Sequence, residues 1–134
     1  MPSLTPSPEQ LADFAASMPS GVPILMFNLL RYNDQATYPS GSQHSPCSGR
    51  EVYARYSRVA LAKVQASGGA VEVRTKAHAA LIAPPDEQWD DILLVSYPSK
   101  EAFLAMIGDS DYQAAAEHRS AALADSRLIG TTRY

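Results

Sequence analysis

The chain has 134 residues and a formal net charge of −3, enough length for one domain with one core. Its 11 Lys and Arg residues are scattered with no basic run, which argues against a nucleic-acid surface. A single cysteine, Cys47, excludes an internal disulfide and fits a reducing cytoplasm. The opening MPSLTPSPEQ lacks both regions of a secretory signal, and no apolar run approaches the roughly 18 residues of a membrane span. The expectation is a cytoplasmic protein without a membrane or nucleic-acid partner.

Residues 1–7 are rich in Pro and Ser and read as an extended arm. Ser7, Pro8 and Gln10 form a capping box with proline at the first helical position, so a short helix runs to about Met18. Residues 1–21 are thus an N-terminal appendage to a domain at 22–134. Val22–Tyr32 is the first strand, and it is too apolar for a strand with one solvated face. Alternation puts Leu25, Phe27, Leu29 and Arg31 on one side and Ile24, Met26, Asn28, Leu30 and Tyr32 on the other. Residues 33–49 are a polar loop with two prolines and two glycines, long enough to suggest a lid or binding loop.

Ser48 and Glu51 open a second helix that ends before Gly68–Gly69. Ala70–Ala83 alternates in part and reads as a strand, bent along its length, followed by a turn at Pro84–Trp89. Asp91–Tyr97 is a third strand, stopped by Pro98. Ser99 caps a short helix to Ile107, and Gly108 breaks it. Ser110 with Gln113 starts a further helix to about Ala124, and Arg127–Arg133 is the last strand. After the first helix the order is β-α-β-β-α-β, an α+β, ferredoxin-like pattern with an antiparallel four-stranded sheet. Both long helices would cover one face of that sheet. The doubly apolar first strand asks for cover on the other, and a second copy of the chain is the economical source.

The stretches FNLLRY, WDDILLVSYPSKEAF and DSDYQAAAEHRSAAL, with Tyr53 and Tyr56 before Gly68–Gly69, are similar to those of domain of unknown function family 1330, in the dimeric α+β barrel superfamily. The resemblance spans roughly residues 22–130. It is most specific at Tyr112 and Arg119, a Tyr followed by an Arg seven residues later. It implies a homodimer whose two sheets share a barrel. It implies no single reaction, since relatives include cofactor-independent monooxygenases, cyclases, isomerases, dehydratases and haem enzymes.

Several residues attract attention on chemical grounds. Asn28 places an amide in a buried strand, where an unpartnered amide costs on the order of 1–3 kcal/mol. If Leu25, Phe27 and Leu29 pack under the helices, Asn28 points into the barrel beside Met26 and Leu30, with Tyr32 on the same side. At about 100° per residue, Arg119 shares an apolar stripe with Tyr112, Ala115, Ala116 and Leu123. It is either an ion-paired arginine at the core's edge or a fork for a carboxylate or enolate. His118 lies just off that stripe, as a solvated histidine or a general base at a pocket rim. Tyr53 and Tyr56 share a buried face with Val52, Ala60 and Val64, and their hydroxyls need partners.

His44 and Cys47 are two ligands short of a metal site, so no metal is expected. His78, with Glu72, Arg74 and Lys76, reads as a solvated or interface face, and Trp89–Asp90 as an anchor. The expected function is cofactor-independent proton transfer next to a carbonyl, of isomerase, cyclase or dehydratase type, in the barrel of a homodimer, on a small apolar ligand with a carbonyl or carboxylate. Asn28 and Arg119 would hold the oxyanion. His118, or a tyrosine of the set Tyr53, Tyr56 and Tyr112, would move the proton, and the 33–49 loop would exclude water. Two alternatives stay open: a non-catalytic binding module, or an oxygen-using relative, for which haem would need His78 or His118 as axial ligand.

Overall fold

Helix α1, Pro8–Ser17, starts as its sequence dictates. The Ser7 hydroxyl accepts the Gln10 N–H at 3.1 Å, and the Gln10 side chain accepts the Ser7 N–H at 2.9 Å. The computed structural model describes residues 2–38 and 47–134, and there the chain continues as β1 (Ile24–Tyr32), α2 (Gly49–Ala66), β2 (Ala70–Lys76), β3 (Asp91–Tyr97), α3 (Lys100–Ile107), α4 (Ser110–Ala122) and β4 (Leu123–Thr131). The strands form one antiparallel sheet in the order β2-β3-β1-β4, the ferredoxin-like arrangement. Among the described residues, no helix is long and apolar enough to cross a membrane.

Several boundaries differ from expectation, and strand pairing or capping accounts for them. The first strand begins at Ile24, two residues late, because Ile24 is the first residue with a partner, Tyr97. Strand β2 ends at Lys76, not Ala83, because its partner β3 begins at Asp91, directly opposite Lys76. After a last bond from the Ala77 N–H to the Asp90 carbonyl, residues 78–89 leave the sheet, and Leu81 and Ile82 are almost fully exposed. The bend expected in β2 is a register shift between Val71 and Val73. This irregularity separates Glu72 from Arg74 and Lys76, and its carboxylate accepts the Ser96 hydroxyl at 2.7 Å. Helix α4 is capped by Asp109, whose carboxylate accepts the Tyr112 N–H at 3.0 Å, not by Ser110. It passes directly into β4 at Leu123, four residues before the expected strand. No glycine or proline marks that change, so nothing in the local sequence announced it.

Helices α2 and α4 pack together on one face of the sheet. Leu30, Val52, Tyr53, Tyr56, Ala115 and Leu123 form one buried cluster. Ile24, Met26, Val64, Val95, Tyr97, Phe103 and Met106 form a second. Burying each large aliphatic side chain contributes roughly 1.5–3 kcal/mol. Helix α1 lies against β4 and α3. Gly130 leaves room there for Phe14 and Met18, and the Lys100 ammonium caps α1 on the carbonyls of Ala15 and Met18.

The alternation in β1 is as read, but its sign is reversed. Ile24, Met26 and Leu30 are buried under the helices, while Phe27 is 37% exposed on the open side. Asn28 therefore lies between sheet and helices, in register with Leu93 and Leu128, and not on the open face. On that open face Val73, Leu94, Phe27 and Ile129 form a row across all four strands. Val73 and Ile129 are about half exposed, at 47% and 53%.

Candidate functional site

Between the sheet and α2, α4 and α1 lies a cavity of about 590 Å³, within the roughly 300–1,000 Å³ usual for small-molecule sites. The sheet contributes Met26, Asn28, Leu93 and Val95. Helix α2 contributes Tyr53, Tyr56 and Val64, α4 contributes Tyr112 and Arg119, and α1 contributes Leu11 and Phe14. The wall is mostly apolar and aromatic. A more open groove of about 630 Å³ lies at the other end of the sheet, between Pro19, Pro23, Pro98 and Arg133. It has no comparable aromatic wall.

The α2 face is the one read from the sequence: Val52, Tyr53, Tyr56, Ala60 and Val64 are all buried. The tyrosine hydroxyls find each other. Tyr56 and Tyr112, from facing helices, are 2.7 Å apart oxygen to oxygen. Rings follow one another from Tyr32 to Tyr53, Tyr56 and Tyr112, with centroid spacings of 5.4, 5.2 and 5.9 Å. Burial is the main reason the Tyr53 hydroxyl is pushed up to about 12, against a smaller downward pull from Arg119. The same burial, reinforced by Tyr112, holds Tyr56 well above the ordinary phenol value. Both are neutral at physiological pH, able to donate a hydrogen bond but not to act as a base.

Among the described residues Asn28 makes one hydrogen bond, from its Nδ2 to the Met26 carbonyl at 3.4 Å, a long contact that leaves most of the amide's capacity open. Arg119 is half-buried, and its Nη1 donates to the carbonyl of Leu4 at 2.7 Å. That partner was not foreseen. Neither was the contribution of Ser3–Pro6, which line the cavity as a strap between α4 and β4. A leucine in a Pro- and Ser-rich arm was the available signal.

Other candidates lie elsewhere. His118 is outside the cavity lining, with Nδ1 2.7 Å from the Tyr38 hydroxyl and the two rings edge to face. Tyr32 is also outside the lining. Its hydroxyl donates to the buried Asp91 carboxylate at 2.8 Å, with Arg50 and Arg74 at 3.6 and 3.8 Å. Burial and then this hydrogen bond raise the Tyr32 hydroxyl strongly. The Trp89 ring stacks under the Arg127 guanidinium at 5.1 Å, and the Asp90 carboxylate accepts the Tyr32 N–H, so this corner anchors the sheet. His78 is exposed.

The described start of the long loop is tied to the end of α4. Asn33 and Thr37 donate N–H to the carbonyls of Ala122 and Ala121, and Asn33 Nδ2 bridges Ala121 and Leu123. Residues 33–38 do not line the cavity. His44 and the rest of the loop to residue 46 lie outside the described residues. Among the described residues, no group of three or more His, Cys, Asp or Glu is placed to hold a metal.

The family model for a domain of unknown function, DUF1330, matches residues 44–130. The methylated form of RPA0582 is 38% identical, with 99% of this chain and 96% of that one covered and a TM-score of 0.90. A second structure of RPA0582, a protein of unknown function from Rhodopseudomonas palustris, is 37% identical over 100% and 98% of the two chains, at TM-score 0.90. Two more distant structures share the fold alone. SnoaB, a cofactor-independent oxygenase from Streptomyces nogalater, is 13% identical over 84% and 94% of the two chains, at TM-score 0.54. A dimeric ferredoxin-like protein of unknown function from Thermobifida fusca is 18% identical over 84% and 92%, at TM-score 0.51. No curated protein matches significantly.

Proposed function

This chain belongs to the DUF1330 family of domains of unknown function, and from that premise we propose that it binds a small apolar carbonyl or carboxylate compound within each subunit of a homodimer and stabilises the oxyanion form. The observation that carries this reading is the placing of Arg119, Asn28 and the Tyr56–Tyr112 pair on the wall of one mostly apolar cavity. A guanidinium is a permanent cation suited to a carboxylate or enolate. An amide with spare donors supports it, and a neutral phenol supplies a proton or a hydrogen bond to developing negative charge.

The chemistry best suited to these groups is enolisation or another proton shift beside a carbonyl. The described cavity wall holds no histidine and no carboxylate, so His118 is not the base in this reading. The Tyr56–Tyr112 pair donates a hydrogen bond to the developing oxyanion while the α-proton leaves to solvent water, so the site favours ligands acidic enough to ionise with oxyanion stabilisation alone. Cavity and open sheet face have separate tasks: the first binds ligand, the second pairs two subunits. The fold is shared with a dimeric protein, and the apolar row on the open face supports the pairing.

Native mass spectrometry of protein purified from its own host tests the reading directly. The expected result is an apolar carbonyl or carboxylate metabolite retained at one per chain. Asn28→Leu keeps the volume and removes the amide. The variant should fold within about 1 kcal/mol of the parent, since the long Met26 contact contributes little, and should lose ligand retention. A variant that is markedly less stable yet retains ligand assigns Asn28 to structure and overturns its role in binding. Retention without turnover makes the protein a carrier rather than an enzyme.

A further inference from the structure

The N-terminal arm is held across the cavity by three hydrogen bonds to distant parts of the chain. Ser3 N–H donates to Asp125 Oδ1 at 2.8 Å, the Ser126 hydroxyl donates to the Ser3 carbonyl, and Arg119 Nη1 donates to the Leu4 carbonyl at 2.7 Å. Residues 3 and 4 thereby bridge the edge strand β4 and helix α4, and Ser3, Leu4, Thr5 and Pro6 all line the cavity. Leu4 packs against the tyrosine cluster from outside. The segment has no secondary structure of its own and precedes the α1 cap at Ser7. These attachments are few, so the arm can leave without disturbing α1, whose own cap and Lys100 contacts lie beyond it.

Arg119 is the informative end. A guanidinium at the edge of an apolar cavity is matched best by an anion, and here it has a neutral peptide carbonyl. The carbonyl satisfies a donor that would otherwise be left half-buried, but a carboxylate or enolate would satisfy it better, through two parallel N–H···O bonds. The surrounding rings of Phe14, Tyr53, Tyr56, Tyr97 and Phe103 offer faces and edges to a planar aromatic body. We propose that a planar aromatic carboxylate or enolate replaces the Leu4 carbonyl on Arg119, and that residues 3–6 are the door of the cavity, opening when the exchange occurs. The proposal rests on the reading of the cavity as a ligand site and adds the ligand class and the route of entry.

The test uses the full chain with a nitroxide on Thr5→Cys in a Cys47→Ser background. It is titrated with 2-naphthoate and with its neutral counterpart 2-naphthylmethanol. Binding is read by naphthalene fluorescence, and arm motion by the nitroxide spectrum. The expected result is naphthoate binding with a rise in label mobility, and naphthylmethanol binding at least about tenfold weaker without that rise. Ser126→Ala, which removes one tether and leaves Arg119 in place, should admit naphthoate faster. Arg119→Met should bind the two compounds alike and show a mobile arm without ligand. If naphthoate binds and the label stays immobile, the door is overturned and the cavity reading stands. If both compounds free the arm equally, the exchange on Arg119 is overturned. If neither compound binds, the cavity reading falls and the door falls with it.

Discussion

Tyr56 and Tyr112 hold each other's hydroxyls 2.7 Å apart, and neither has another hydrogen bond from its hydroxyl among the described residues. Tyr112→Phe therefore strands the buried Tyr56 hydroxyl, at a cost of about 1–3 kcal/mol. The double variant Tyr56→Phe/Tyr112→Phe should lose clearly less than the sum of the two single changes, because it removes both partners together. Urea denaturation of the four proteins gives the coupling, and a coupling near zero would mean that the hydroxyls do not depend on each other. The same burial sets an alkaline limit on stability. Tyr53 keeps its proton to about pH 12 in the folded chain, whereas in the unfolded chain it releases it near pH 10. Between those values the folded state binds more protons, so stability falls as pH rises, by about 1.4 kcal/mol per pH unit for each such tyrosine. Below pH 10 the two states are equally protonated and Tyr53 contributes no pH dependence. Tyr53→Phe should flatten the slope of unfolding free energy between pH 10 and 12, and an unchanged slope would show that Tyr53 titrates normally.

At the scale of elements, the helix starts were legible because capping is local. Ser7, Ser48 and Ser99 each accept the N–H three residues on, as their spacing suggests. The junction of α4 and β4 was not legible, because Leu123 becomes extended only by pairing with Tyr32 in a strand far away in sequence. Close approach of elements was equally hidden. Gly49, the first residue of α2, sits between the loop after β1 and the end of α4. A methyl group there would lie 2.3 Å from the Asn33 carbonyl oxygen and 2.6 Å from that of Ala122. Both obstacles are backbone and neither can rotate away. Gly49→Ala should cost about 1–3 kcal/mol or more by overpacking, visible as a lower thermal midpoint. An unchanged midpoint would show that α2 can shift outward freely.

For the molecule as a whole, the question is what covers the open sheet face. The row Val73, Leu94, Phe27 and Ile129 is apolar from one edge to the other, and monomeric proteins rarely leave such a patch in water. Phe27→Asp puts a charge in the middle of that row without touching the cavity wall. Light scattering across a dilution series should give a dimer for the parent and the 14.4 kDa monomer for the variant. A parent that is monomeric at every concentration would sink the shared-barrel dimer. A variant that stays dimeric would move the interface to another surface.

How much was written in the sequence differs between fold and site. The order of strands and helices, the buried stripe of α2 and the alternation in β1 follow from spacing and capping, which act over a few residues and leave their mark in any short window. Which side of β1 faces the helices does not follow. Leu25–Phe27–Leu29 and Ile24–Met26–Leu30 are equally apolar stripes, and a shift by one residue would exchange them. Only the packing of Tyr53, Val64 and Phe103 against Met26 and its neighbours chose between them, and it carried Asn28 to the helix side of the sheet. Arg119 could be placed on an apolar stripe from its spacing alone. Its partner could not, because Leu4 is 115 positions away and reaches Arg119 only once β4, α4 and the arm have come together. His118, one residue earlier, shows the same limit: helical spacing put it near the stripe, and the tertiary structure turned it to Tyr38.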